Sequence, residues 1–256
     1  MMRNLFSVEG KAVLITGGSR GIGEMIARGY VENGARVYIS SRKAEVCDRM
    51  AEELSEHGSC AYLPFDLSKL AGIEGLAAAI AAREPALDVL INNAGASWGA
   101  PIDDFPEDGW DKTVDLNLKS VFFLTQRLLP QLRAAASAEN PSRVINIASI
   151  NGLEPPELET YAYSASKAGC IMLTRHLAKR LAAENILVNA IAPGPFPSQM
   201  MAATLARAGD AIAKANPRGR IGQPEDIAGV AIFLGSRASA YTTGATIPCD
   251  GGSAEV

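Results

Sequence analysis

A doubly wound, Rossmann-type α/β fold around a parallel sheet of about seven strands is what this sequence predicts. Three observations carry the prediction. Short apolar, β-rich runs recur along the chain. Stretches of helical composition separate them, and such alternation implies right-handed crossovers with helices on both faces of the sheet. A glycine-rich turn, TGGSRGIG at 16–23, directly follows the first run and opens the first helical stretch.

The strands come first. AVLIT (12–16), RVYIS (36–40), AYLPF (61–65), DVLIN (88–92), RVINIA (143–148) and ILVNAI (186–191) are short and mostly apolar without alternation. Strands buried on both faces of a parallel sheet have that pattern. A seventh is expected at ATIPC (245–249), before the Gly251–Gly252 turn. Helical composition and spacing occupy 21–33, 43–57, 69–83, 107–135 and 161–184. SAENPS (137–142) reads as a polar connection, with Pro141 unable to continue a helix. QPEDIAG (223–229) reads as a helix start, because Pro224 suits the first turn and Glu225 and Asp226 favour the positive end of the dipole. The segment 193–222 breaks the rhythm. It opens with three prolines, becomes rich in Ala and Met, and leaves the C-terminal end of a strand, where ligands bind in such sheets. It predicts a mobile substrate lid with one or two short helices; an ordinary surface excursion is the alternative reading. No linker or repeat divides the chain, so a single domain over 1–256 is expected.

Bulk properties exclude several classes. Against 24 Lys and Arg stand 28 Asp and Glu, a net charge of -4, which argues against nucleic-acid binding. Cys47, Cys60, Cys170 and Cys249 are scattered without a CxxC spacing, so neither a zinc site nor a disulfide framework is expected. His57 and His176 are too isolated for a metal cluster and read as surface or core-edge residues. No apolar run reaches bilayer-spanning length, and the first residues lack a signal-type apolar stretch. A soluble cytoplasmic protein with reduced thiols is the expectation.

The glycine turn implies a dinucleotide. Gly17, Gly21 and Gly23 let the backbone approach a pyrophosphate, and a helix N-terminus favours its charge. Their spacing is GxxxGxG rather than the commoner GxGxxG. At the end of the second strand, a carboxylate would accept hydrogen bonds from an adenosine ribose and repel a 2′-phosphate. The chain has Ser40, Ser41, Arg42 and Lys43 there, with Arg20 in the glycine turn. Guanidinium and hydroxyl donors suit a phosphate, so NADP(H) is favoured over NAD(H). The alternative is that Arg42 and Lys43 are solvated charges at a helix start.

The chemistry is expected at Ser149, Tyr163 and Lys167. Tyr163 and Lys167 are four apart, hence on one face of a helix. An ammonium beside a phenol favours the phenolate, and the pair becomes a proton donor and acceptor. A strand-end serine hydroxyl, Ser149, is placed to hold a carbonyl oxygen. A lone YxxxK is more often a surface pair; the upstream serine and nucleotide turn distinguish this one. Tyr161 is a decoy, since the residue four later is Ala165.

Together these motifs resemble the short-chain dehydrogenase/reductase family over nearly the whole chain. TGGSRGIG, NNAG (92–95), Asn117 in DLNLKS, Ser149 in NIASING, YSASK (163–167), Pro193–Gly194, RIGQPEDIA (220–228) and TGATIPCDGG (243–252) occur in family order. Within the family the chain is similar to bacterial 3-oxoacyl reductases. The resemblance implies that Gly17, Ser19, Arg20, Gly21, Ile22 and Gly23 line the pyrophosphate and adenosine side, beside the phosphate donors already read at Ser41 and Arg42. It puts Asp66 and Leu67 by the adenine, and Asn93, Ala94 and Gly95 beside the adenosine ribose. Pro193, Gly194 and Phe196, with Ser198 after them, would meet the nicotinamide carboxamide. Tyr163 is implied as the acid/base, Lys167 as its tuner and ribose ligand, Ser149 as the carbonyl orienter, and Asn117 as the holder of a water in the proton path. A mid-helix Asn that bends or caps a helix is the alternative for Asn117.

The chain departs from the family pattern in two places. Thirteen residues separate Ser149 from Tyr163, one more than usual, in a proline-bearing acidic loop. Phe196 and Ser198 stand where an aliphatic residue and a threonine are common. Around the substrate, Ser149, Asn151, Tyr163, Trp98 and Met200 are candidates; Trp98, Phe196, Met200 and Met201 read equally well as packing residues. The resemblance implies a 3-oxoacyl thioester on CoA or an acyl carrier protein, although the chain has no obvious basic stripe for an acidic carrier. An alcohol, sugar or steroid dehydrogenase is the second enzyme reading, and a catalytically silent nucleotide-binding regulator the non-enzyme one. Pairing through the long helices implies a homodimer or homotetramer.

Overall fold

The computed structural model describes residues 4–254. Its strands are β1 (Ala12–Thr16), β2 (Arg36–Ser40), β3 (Ser59–Leu63), β4 (Val89–Asn92), β5 (Ser142–Ile147), β6 (Ile186–Pro193) and β7 (Thr246–Cys249). They form one parallel sheet in the order β3-β2-β1-β4-β5-β6-β7. The order reverses between β1 and β4, which makes their C-terminal ends the topological switch point. The helices are α1 (Gly21–Glu32), α2 (Ala44–Ser55), α3 (Leu70–Ala81), α4 (Glu107–Val114), α5 (Ser120–Ala135), α6 (Tyr161–Leu181), α7 (Ala202–Ala215) and α8 (Pro224–Gly235).

The missing alternation in the strands has a direct cause. In β1, Val13 and Ile15 enter the core cluster that Ile26, Tyr30, Ile227 and Leu234 complete from α1 and α8. Ala12 and Leu14 enter the opposite cluster, with Ile73, Leu76, Leu124 and Leu128 from α3 and α5. Successive side chains therefore bury on opposite faces, and each large one contributes about 1.5–3 kcal/mol.

Three expectations are corrected. The third strand begins at Ser59 and stops at Leu63; Pro64, which lacks an N–H for the ladder, lies beyond it. The helix expected over 107–135 is two helices, α4 and α5, joined by a π turn at Asp115–Lys119. Its extra residue places Asn117 inward. The helix expected to 184 ends at Leu181, followed by a 3-10 turn over Ala182–Glu184 that closes on Asn185 in the left-handed region. The 193–222 segment holds one helix, α7, with non-helical backbone at Ala208, and no residue of that helix is buried. α8 starts as expected at Pro224, with a reciprocal cap between Gln223 and Asp226.

An ion pair ties β2 to the turn that follows α3. Arg36 Nε and Nη2 donate to Glu84 Oε1 and Oε2 at 3.0 and 3.1 Å, and Tyr38 Oη donates to Oε1 at 2.9 Å. The hydrogen bonds from Arg36 act most strongly, joined by that from Tyr38, and hold the Glu84 carboxyl below its usual range against the opposing effect of burial. A depressed folded-state value means that the stabilisation is present above the unfolded value, about 4.3, and is lost as pH falls through the folded one. Glu84→Gln is therefore expected to lower stability by about 1–2 kcal/mol at pH 7, since Arg36 is half in solvent. In urea denaturation the deficit should shrink as pH drops below about 4; a deficit independent of pH would refute the assignment.

Candidate active site

The nucleotide turn is held from two sides. Gly17 and Gly21 have φ of +67° and +57°, which favour glycine. A Cβ on Gly23 would lie 2.3 Å from Gly17 O and 2.4 Å from Asn93 Nδ2, so α1 packs against the turn only without one. Asn93 Nδ2 donates to Thr16 O at 2.8 Å and Gly17 O at 3.2 Å. Thr16 Oγ1 accepts from the main-chain N–H groups of Asn93 and Ala94, both at 3.0 Å. These bonds lock the end of β4 to the end of β1. No side chain caps α1, so its first-turn N–H groups are left for an anion. Ser19 is buried beneath the turn, Ile22 packs against the core, and Arg20 is exposed.

At the end of β2, Ser40 Oγ is buried without a partner. The Arg20 and Arg42 side chains are exposed and hold no hydrogen bond or ion pair among the described residues. This donor set fits a phosphorylated ribose. Asp66 Oδ1 accepts from Ser68 N and Oγ at 3.2 and 2.8 Å. Burial works to raise its carboxyl, but the Ser68 bonds and the nearby charges of Arg42 and Lys69 hold it below the usual range. The Leu67 side chain is core, leaving its backbone to face a ligand.

Ser149, Tyr163 and Lys167 are gathered by β5 and α6. Lys167 is 4 % exposed, and its Nζ donates to Ile147 O at 2.7 Å. The same Nζ stands 5.6 Å from the centroid of the Tyr163 ring. Ser149, just beyond β5, accepts from Asn151 N at 3.1 Å and caps a short 3-10 turn, Ile150–Gly152. A Cβ on Gly152 would lie 2.7 Å from the Lys167 carbonyl carbon, so this turn sits directly on the α6 backbone. Tyr161 is turned elsewhere: its Oη donates to Glu159 at 3.2 Å and its ring meets Phe105. Desolvation first, then the Glu159 charge, push its phenol up, which keeps it protonated.

Asn117 braces the site. Its Oδ1 accepts from Ala96 N at 2.8 Å; its Nδ2 donates to Ala96 O at 2.9 Å and to Ser166 Oγ at 3.0 Å. Both amide hydrogens are taken. A Cβ on Gly95 would approach Asn117 Oδ1 at 3.2 Å and Lys167 Nζ at 3.8 Å, so Gly95, Asn117 and Lys167 share one wall.

The segment after β6 is arranged differently from expectation. Pro193 ends β6, and Gly194 N donates to Cys249 O at 3.0 Å. The Phe196 ring is turned into the core, 2 % exposed, where a Cβ on Gly222 would meet it at 2.3 Å. Its aromatic surface is therefore taken up by packing in the core. Ser198 packs over Gly21, within 3.1 Å of where a Cβ would stand. Met200 is half exposed and Trp98 half buried. Sequence reasoning missed Thr16, Gly152 and Ser166 as parts of the site. A hydroxyl ending an apolar strand was the available signal for Thr16; Gly152 and Ser166 act through contacts that chain order does not reveal.

With a glycine turn at the switch point and a tyrosine–lysine pair on the helix against which the Ser149 turn sits, the fold and site define a dinucleotide-dependent oxidoreductase, and the chain belongs to the short-chain dehydrogenase/reductase family. A family model described as enoyl-(acyl carrier protein) reductase matches residues 17–254. Among curated relatives, the rhamnolipids biosynthesis 3-oxoacyl-[acyl-carrier-protein] reductase of Pseudomonas aeruginosa is 50% identical over 98% of this chain and 99% of its own. The solved Pseudomonas aeruginosa RhlG/NADP active-site complex superposes with a TM-score of 0.94 at 50% identity, covering 98% of this chain and 99% of that one. A gluconate 5-dehydrogenase from Burkholderia cenocepacia, solved with NADP and tartrate, gives a TM-score of 0.89 at 34% identity over 98% and 97% of the two chains.

Proposed function

We propose that this protein is an NADPH-dependent ketone reductase whose substrate is a 3-oxoacyl thioester. The observation that carries the reading is the buried Lys167 ammonium, anchored on Ile147 O and standing over the Tyr163 ring next to the Ser149 turn. When bound, NADPH supplies the hydride. Gly17, Ser19, Gly21, Ile22 and Gly23 with the α1 N-terminus receive the pyrophosphate, and Arg20, Ser41 and Arg42 the 2′-phosphate. Asp66, Leu67, Asn93, Ala94 and Gly95 flank the adenosine; Pro193, Gly194, Ser198 and the Phe196 backbone flank the nicotinamide. Ser149 and Tyr163 donate hydrogen bonds to the substrate carbonyl oxygen, where charge develops as the carbonyl is reduced. Tyr163 then gives its proton to that oxygen, and Lys167 stabilises the phenolate left behind. Asn117, its amide hydrogens engaged, holds a relay water through its remaining acceptors. Asn151, Trp98 and Met200 border the acyl group.

The 193–222 segment is the lid of this single-domain enzyme, resting on the glycine turn through Ser198. A homodimer or homotetramer through α5 and α6 is supported by the exposed Phe122 and Met172 on those helices. A cytoplasmic location is part of this reading; no helix among the described residues is long and apolar enough to cross a membrane. The deciding experiment follows NADPH and NADH oxidation with acetoacetyl-CoA, longer 3-oxoacyl esters on CoA and carrier protein, simple ketones and keto-sugar acids. Preference for NADPH and the 3-oxoacyl esters is expected. Preference for a keto-sugar acid would replace this reading with that of the gluconate relative.

A further inference from the structure

The segment that leaves β4 runs along the rim of the cleft. It begins at Gly95 and Ala96, on the Lys167 and Asn117 wall. It ends at Gly99 and Ala100, where Ala100 N donates to Glu159 O at 3.2 Å and a Cβ on Gly99 would lie 3.6 Å from Thr160 Cγ2. Trp98 stands between these two anchors, one within the catalytic wall and the other in the loop that enters α6.

Two residues of α4 hold the indole. A Cβ on the buried Gly109 would come within 2.7–2.8 Å of Trp98 Cδ1, Cγ and Cδ2, closer than any real Cβ contact. The helix therefore lies directly on the ring, and only a glycine allows it. Lys112, three residues on and thus on the same helix face, puts its Nζ 4.8 Å from the ring centroid. Glycine costs helix stability relative to alanine, and this one sits in the first turn of a short helix.

We propose that Gly109 and Lys112 are positioning residues that fix Trp98 as a wall of the acyl channel, and so set how long a chain the site accepts. The inference deepens the reductase reading and rests on it. One face of the ring is seated on α4. Trp98 is half buried, on the segment between the Gly95–Asn117–Lys167 wall and the loop before Tyr163, and in this proposal a 3-oxoacyl chain passes outward along that segment. A ring held in place discriminates by length; a ring free to swing would not.

The chain has two tryptophans, Trp98 and Trp110. Trp110→Phe keeps an aromatic partner for Phe105 and leaves Trp98 as the single fluorophore. In that background, with NADP⁺ bound, a 3-oxododecanoyl thioester is expected to shift the Trp98 emission and acetoacetyl-CoA to shift it little. Gly109→Ala should raise the KM for the longer ester about tenfold, the scale of one misfitting methyl group. The KM for acetoacetyl-CoA, kcat and NADPH affinity should stay within about twofold, because Gly109 touches none of the reacting groups. Lys112→Met alters an exposed side chain and keeps the fold safe. It should move the long-to-short ratio about two- to fivefold in the same direction. An emission blind to the long ester would overturn the proposal. So would variants that shift the emission yet leave the ratio unchanged. Failure of the parent to reduce either ester would instead count against the substrate reading, and the ratio would then be read across long and short ketones that it does reduce.

Discussion

Tyr163→Phe should lower kcat by about three orders of magnitude while NADPH binds as tightly as before. The change removes one oxygen and one proton. The ring stays beside Lys167, whose Nζ keeps its bond to Ile147 O. Ser149 retains its place on the turn that Gly152 seats against α6. Substrate can still be held, but the carbonyl oxygen loses its proton source and one of two donors where charge develops. Loss in kcat with intact cofactor affinity is the signature of a group used in the transition state. Steady-state NADPH oxidation and a titration of NADPH fluorescence would measure the two parts. A folded variant with near-parental turnover would remove Tyr163 from the chemistry.

The second large effect belongs to Gly23. Gly23→Ala should weaken NADPH binding about a hundredfold, near 2.7 kcal/mol. The new methyl would collide with Gly17 O and with Asn93 Nδ2, and neither can yield. Asn93 Nδ2 is bonded to Thr16 O and Gly17 O, and its own N–H to Thr16 Oγ1. Relief requires α1 to move off the turn, which withdraws its N-terminal N–H groups from the pyrophosphate. A stability loss of about 1–3 kcal/mol should accompany it, as for other overpacked sites. Gly229→Ala in α8 is the control. A Cβ there meets nothing within 4 Å, so it should leave NADPH affinity unchanged and stabilise the helix slightly. Equal NADPH affinity in Gly23→Ala and the parent would show that the turn is not the cofactor cradle.

Much of this was readable in one dimension because the relevant physics is local. β1 and β2 fall at their expected bounds, since unbroken apolar runs can bury only between two helical layers. Pro224 and Asp226 announced α8, because caps act within one turn. The Tyr163–Lys167 pair was visible because helical pitch fixes which residues share a face.

Other features depend on where distant segments meet. No spacing rule announces the π turn that swings Asn117 onto Ala96 and Ser166; its partners are 21 and 49 residues away. Phe196 reads as a cofactor neighbour by position, yet a gap beside Gly222 takes its ring into the core. Arg143, at the start of β5, is fully buried, with Nη1 donating to Pro141 O and to Asn140 Oδ1.

Residue types and short spacings were enough to read the layered α/β plan, the glycine turn after β1 and the tyrosine–lysine pair on one face of α6. The bracing of that pair, the burial of Phe196 and the seat of Trp98 on Gly109 came only with the folded chain. Periodicity and capping are properties of neighbours along the backbone, whereas close packing is a property of surfaces that meet once the chain has folded.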